Sequence, residues 1–110
     1  MERNRFRYCQ LNAYYGGLLT ARQAEIFLLH YEDDFSLAEI AEKLNITRQA
    51  VLDNLRHAES TLDKAESKLG LVARDLMIKK HLENIQDALN QKDLTKATEL
   101  VEVAIKDMED

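Results

Sequence analysis

The sequence contains no proline and no tryptophan, and only three glycines and one cysteine in 110 residues. At average usage a chain of this length carries about 5 prolines and about 8 glycines. Proline removes a backbone donor and breaks helix interiors, and glycine costs conformational entropy inside a helix. A chain almost free of both has few forced turns. That excludes collagen-like repeats, proline-rich linkers and turn-dense β-sandwiches, and it favours long helices with short connections. A lone cysteine, Cys9, excludes an internal disulfide and fits a reducing compartment. No stretch nears the ~18 consecutive apolar residues that a membrane span needs. The opening MERNRFRY is basic but has no apolar run behind it, so it does not read as a signal peptide. The expectation is a soluble, cytoplasmic protein with no membrane insertion.

Hydrophobic residues make up 45% and charged residues 32%, which suits amphipathic helices around one core, and aromatics at 6% make that core mostly aliphatic. The net charge of −5 is unevenly placed. Residues 1–80 hold twelve basic and twelve acidic side chains, whereas residues 81–110 hold three basic and eight acidic ones. The overall acidity therefore leaves room for a nucleic-acid surface on the first 80 residues, while it argues against a non-specific DNA coat protein.

Six helices and no strand are expected. Residues 4–15 carry Phe6, Leu11, Tyr14 and Tyr15 before Gly16-Gly17 interrupts the pattern. Thr20 and Gln23 form a capping box ahead of Ile26, Phe27, Leu28, Leu29 and Tyr31. Glu32-Asp33-Asp34 reads as a polar turn, because an EF-hand needs alternating ligands, a turn glycine and a distant Glu. Ser36 and Glu39 form a second capping box, followed by Leu37, Ile40, Ala41 and Leu44 at helical spacing. After Thr47 the apolar positions Val51, Leu55, Ala58, Leu62, Ala65 and Leu69 step by four and three. Gly70 is placed to end that helix. Leu71, Ile78, Leu82, Ile85 and Leu89 mark a fifth helix; Asp93 caps a sixth with Leu94, Ala97, Val101, Ala104 and Met108.

Leu37 to Leu55 meets the physical demands of a helix-turn-helix. Ala41 is small where the second helix must cross closely, and Ile40, Leu44, Ile46 and Val51 fill the crossing. Asn45 is the best substitute for glycine at a left-handed turn, and Thr47 is a hydroxyl N-cap. Thr47, Arg48, Gln49, Asp53, Arg56 and His57 would face outward. Arginine suits phosphates or guanine edges and glutamine suits adenine. Thr47, Arg48, Gln49, Arg56 and His57 are thus the candidate nucleic-acid-binding residues; the alternative is a hairpin whose outer face is merely solvated.

Residues 12–69, with Tyr14-Tyr15-Gly16-Gly17-Leu18-Leu19-Thr20, the run from Ser36 to Val51, and Asp53-Asn54, resemble the YlxM-like family of small bacterial helix-turn-helix proteins. The resemblance extends more weakly to the C-terminus. It implies a helix-turn-helix similar to region 4 of sigma factors, in the winged-helix-like DNA-binding class but without a wing. It also implies a regulatory or accessory role in the signal recognition particle (SRP) protein-targeting pathway, inferred for the family from genes neighbouring those of the particle's GTPase and its receptor. The partners implied are DNA or the SRP RNA, and the SRP GTPase or its receptor. Where the family often has an aromatic after the valine, this chain has Leu52.

No catalytic constellation emerges. His30, His57 and His81 lack metal-ligand spacing, Cys9 has no activating pattern, and no glycine-rich phosphate loop exists. A non-enzymatic protein without metal or cofactor is expected. Lys64, Lys68, Arg74, Lys79 and Lys80 form the densest basic run, and Arg3 with Arg7 a smaller patch; both fit a solvated face or phosphate contacts. The stripe from Val51 to Leu69 must be buried against the last two helices or against a second chain, with Leu62, Ala65 and Leu69 as candidate homodimer or partner contacts. The expected fold is all-α. A single domain spans 1–110, with a helix-turn-helix unit over 20–69 and acidic C-terminal helices over 70–110 for dimerisation or partner docking. Two functions stay open: a regulator that contacts nucleic acid, and a protein–protein adaptor docking through Glu99 and Glu102 on its acidic helices.

Overall fold

The computed structural model describes the backbone of residues 2–109 and the side chains of residues 4–109, so the Arg3 half of the expected N-terminal patch lies outside the described residues. Among the described residues there are six α-helices and no strand: α1 Glu2–Tyr15, α2 Ala21–Tyr31, α3 Leu37–Leu44, α4 Arg48–Leu69, α5 Leu71–Asn90 and α6 Leu94–Glu109. A 3-10 turn at Gly16–Leu18 separates α1 from α2. The fold is all-α.

Local chemistry starts and stops these helices. Thr20 Oγ1 accepts from Gln23 N at 3.1 Å while Thr20 N donates to Gln23 Oε1 at 3.1 Å. Ser36 and Glu39 repeat the exchange at 3.0 and 3.1 Å. Asp93 Oδ1 accepts from Lys96 N at 3.0 Å to begin α6. Each pairing satisfies orphan N–H groups of a first turn. Left-handed residues reverse the chain after helices: Asp34, Asn45, Gly70 and Lys92 all have φ between 56° and 63°.

The helices group into two compact units that divide between Val72 and Ala73, three residues past the expected boundary between 69 and 70. In the first unit α1 joins the helix-turn-helix, and α4 is the shared wall. Its N-terminal half, through Val51 and Leu55, packs with Ile26 and Leu29 of α2 and Ile40 of α3. Its C-terminal half, through Ala58, Leu62 and Ala65, packs with Leu11 and Tyr15 of α1, Phe27 of α2 and Val72. The four-three stripe is buried as its period predicts. What covers it differs from expectation. Leu62 and Ala65 were candidate contacts for a second chain, but both are buried in this core beneath α1 and α2. Leu69 is 61% exposed, because α1 has ended at Tyr15.

Beside the stripe, three carboxylates of α4 each accept a tyrosine hydroxyl. Tyr31 donates to Glu59. Tyr8 donates to Asp63 at 2.8 Å, and Tyr15 to Glu66 at 2.6 Å. The Tyr15 oxygen also accepts from Leu71 N at 3.0 Å, and Glu66 accepts from Val72 N at 3.1 Å, which fixes the chain where it leaves α4.

The second unit is a helical hairpin of α5, from Ala73, and α6. Lys92 in the left-handed region and the bond from Asp93 N to Ala88 O at 2.9 Å close the connection. Ala88 and Ala97 are buried and let the helices approach closely. His81 Nε2 lies 2.9 Å from Asp107 Oδ2, near enough for charge pairing but out of line for a hydrogen bond.

Burial first, and the Asp63 hydrogen bond second, pushes the Tyr8 hydroxyl up to about 12. Burial and Glu59 raise Tyr31, and burial and Glu66 raise Tyr15. These phenols stay protonated in the fold but ionise in the unfolded chain near the ordinary value of 10.0. Stability contributed by them is therefore full below that pH and lost as pH rises toward the folded values. Tyr8→Phe should cost about 1 kcal/mol at neutral pH and lessen the alkaline fall. Urea denaturation at neutral pH and at about pH 11 measures both, and an unchanged alkaline profile would contradict the assignment.

Candidate nucleic-acid interface

The helix-turn-helix is built by α3, Asn45-Ile46-Thr47 and the start of α4. Ser36 fixes the first turn of α3, and Glu39, held below the ordinary carboxylate range by hydrogen bonds from Ser36, completes the box. Ile40 is buried, while Leu37, Ala41 and Leu44 pack at its margin. Asn45 then takes φ 56° and ψ 48°. Its N–H bonds Glu42 O at 3.3 Å and the Ile46 N–H bonds Ala41 O at 3.0 Å, the two bonds of a Schellman closure. Ile46 and Ala41 both pack on the same core, which supplies the apolar contact that accompanies this closure. Thr47 Oγ1 accepts from Ala50 N at 3.0 Å, and α4 begins.

The exposed residues of α4 fall on different sides of it. Arg48 and Arg56 lie on one flank, with half-buried Leu52 between them. Together with Leu37 and Ala38 of α3, His30 of α2, and Leu55 and Glu59 of α4 they line a concave groove of about 510 Å³. Gln49 is on the outward crest, where its Nε2 donates to Asp53 Oδ1 at 2.9 Å. His57 lies half a turn round from Arg48, given 3.6 residues per turn, and so cannot share its contacts. The structure thus brings Arg48 and Arg56 together in one groove, which Gln49 and His57 do not line, although Gln49 stands on the same side of α4 as Arg56, two turns before it. Thr47 acts as the cap.

Charge pairing sharpens this division. Arg5 bonds Asp34 at 2.5 Å, Arg7 bonds Asp63 at 2.7 Å, and Arg22 bonds Glu25 at 3.2 Å. Arg48 and Arg56 form no ion pair among the described residues. The basic run seen in the sequence divides, with Lys64 and Lys68 on α4 and Arg74, Lys79 and Lys80 on α5 of the second unit. Sequence reasoning missed the parts played by His30, Leu52 and Glu59 in the groove. The signal for Leu52 and Glu59 was their helical spacing from Arg48 and Arg56; His30 had none.

Other chemistry is limited among the described residues. They contain no cluster of three or more metal-ligating side chains, and no helix is long and apolar enough to cross a membrane. Burial, with Glu32 adding to it, pushes the Cys9 thiol up, away from the thiolate that a nucleophile needs.

A capped short helix, a left-handed Asn turn and a second helix with an exposed basic flank define a helix-turn-helix protein. A sequence model described as "Putative helix-turn-helix protein, YlxM / p13 like", that of the UPF0122 family, matches residues 2–101, and the chain belongs to this family. It is similar to a UPF0122 protein of Desulforamulus reducens, 58% identical over 58% of this chain and 55% of the relative. One of Thermoanaerobacter sp. is 49% identical over 69% of this chain and 65% of the relative. One of Symbiobacterium thermophilum is 41% identical over 83% and 85%. The match thus spans under two thirds of the first two relatives' length.

The left-handed Asn45 is the position on which the turn depends. Asn45→Gly should hold or slightly raise stability, and Asn45→Val should lower it by about 1–2 kcal/mol, since a Cβ-branched residue is strained there. Chemical denaturation of the pair checks this; equal stability of the two variants would show that the turn does not need that conformation.

Proposed function

We propose that this protein is a non-enzymatic regulator in the SRP protein-targeting pathway that lays the basic flank of α4 against nucleic acid. The observation that carries the nucleic-acid reading is the pair Arg48 and Arg56, left without ion pairs while Arg5, Arg7 and Arg22 are engaged. Duplex DNA fits this helix better than duplex RNA, because the B-form major groove admits an α-helix and the A-form one is deep and narrow. The SRP RNA would be met through its phosphates or unpaired loops. The link to the targeting pathway rests on the family resemblance. The neutral balance of residues 1–80 makes for modest non-specific affinity.

Titration of duplex DNA and of the SRP RNA across a salt series tests the reading. Affinity should fall with salt, and Arg48→Ala and Arg56→Ala should each weaken binding by about tenfold, or ~1.4 kcal/mol, and flatten the salt slope by about 1. Absence of binding to both nucleic acids at low salt overturns it.

A second reading, the protein–protein adaptor, is favoured by Glu99 and Glu102, which are exposed on α6 and form no ion pair among the described residues. In it the acidic helices dock on a basic surface of the SRP GTPase or its receptor. Glu99→Lys and Glu102→Lys should then weaken binding to the purified GTPase in nuclease-treated samples. Unchanged affinity in the double variant removes this reading.

A further inference from the structure

The hairpin of the second unit carries more apolar surface than its two helices cover. Only Ala88 and Ala97 are buried among the described residues of this unit, while Leu82, Leu89, Leu94, Val101, Ile105 and Met108 stand 39% to 69% exposed. At 3.6 residues per turn, Leu82 and Leu89 fall on one line of α5, and the other four on one line of α6. Each line lies about a quarter turn from its helix's buried side, in the same rotational sense as the chain advances. The two helices run antiparallel, so both lines fall on the same side of the hairpin and form one face. Thr98 and Gln86 are the polar residues at its margin, and the Thr98 hydroxyl donates to Leu94 O of its own helix at 2.9 Å. Apart from Asp75 at the start of α5, the face presents no charge, and its hydroxyl is satisfied.

The size of this face matches an interface. The 16 residues of α6 run about 24 Å at 1.5 Å per residue. Two helices about 9 Å apart span roughly 19 Å with their side chains. The resulting ~450 Å² is in the range at which apolar patches mark interaction sites. Two such faces together bury on the order of 1,000 Å², the lower bound for a specific association.

We propose that the occupant of this face is a second copy of the same chain, the two hairpins closing into an antiparallel four-helix bundle. A hairpin with one apolar face is half of such a bundle and is self-complementary about a two-fold axis. Charge selects the arrangement. The outer edge of α6 carries Glu102 and Glu109, whereas the outer edge of α5 carries Lys79 and Glu83, which balance. A two-fold axis parallel to the helices sets each α5 over the α6 of the other copy, so the acidic edge lies beside this balanced one. The alternative axis sets α6 over α6 and brings like charges together. This association is independent of nucleic-acid binding, and its test uses none.

Sedimentation equilibrium of the full chain over a dilution series should give twice the chain mass at tens of micromolar, falling toward the chain mass on dilution. Val101→Glu or Leu89→Glu should weaken the dimer by about a hundredfold or more, since each buries an unpaired charge, while circular dichroism and the melting temperature of the monomer are retained. Val103→Glu is the control: Val103 is 49% exposed but lies on the opposite side of α6, so this variant should remain dimeric. A wild-type monomer throughout the range overturns the proposal. So does Val103→Glu dissociating as readily as Val101→Glu. A monomer whose Val101→Glu variant loses binding to the purified SRP GTPase would give the face to a different protein and equally overturn it.

Discussion

The first unit depends on α4 being apolar along one side and acidic along the edge of that side. Glu59, Asp63 and Glu66 step by four and three, the same period as the buried stripe, so all three border the core of a single 22-residue helix. A carboxylate at a core margin is costly unless its oxygens are hydrogen-bonded. Here the donors are the phenols of Tyr31, Tyr8 and Tyr15, which bring ring area as well as a proton. The rings of Phe27 and Tyr31 lie 4.6 Å apart and those of Tyr8 and Tyr31 5.7 Å apart, which ties α1 and α2 to the same wall. A chain with four tyrosines and three phenylalanines places three of the tyrosines on this edge.

This anchoring explains why the exposed basic flank is where it is. The carboxylates near the core are occupied by phenols, with Arg7 also drawn to Asp63, and the surface acids Asp34 and Glu25 hold Arg5 and Arg22. Arg48 opens α4 before that network and Arg56 stands at its edge in the third turn, and neither forms an ion pair among the described residues. The crest beside them is different in character. Gln49 is bonded to Asp53, whose carboxylate repels phosphate and holds the amide that would otherwise read a base edge. The candidate interface is therefore a flank with an apolar floor, built from Leu37, Leu52 and Leu55, rather than the outermost strip of the helix.

Features whose causes lie within four residues were legible in the sequence. The Thr20–Gln23 and Ser36–Glu39 boxes, the Thr47 cap, the left-handed Asn45 and the reversal at Gly70 all form as the local chemistry requires. The period of the α4 stripe was legible too, because it is a property of one helix. What covers that stripe was not. Periodicity says that Leu62 and Ala65 are buried but is silent on the partner, and the contacts that decide it, such as Tyr8 with Asp63, join residues 55 apart. The site divides the same way. The exposed residues of α4 follow from its register, but the pairing of Arg48 with Arg56, and the withdrawal of Gln49, depend on which side α3 crosses and on which acids other arginines have taken.

The second unit shows where a helical pattern stops determining structure. Ile78 and Ile85 of α5 are half-buried while Leu82 and Leu89 are exposed, so one apolar arc is covered over only part of its width. Two helices have one mutual contact line, and an arc wider than about 100° exceeds it. Such a unit is too small to bury its own apolar surface, and stability of the remainder has to come from another element. Nothing about the width of the arc chooses that element; the flanking charges do. Acid concentrated on the α6 edge against the balanced Lys79 and Glu83 on the α5 edge disfavours pairing of α6 with its own copy, the bias that the proposed dimer uses. In the proposed dimer, the acid on the outer edge of α6, part of the −5 carried by the last thirty residues, would bias which helix that face meets.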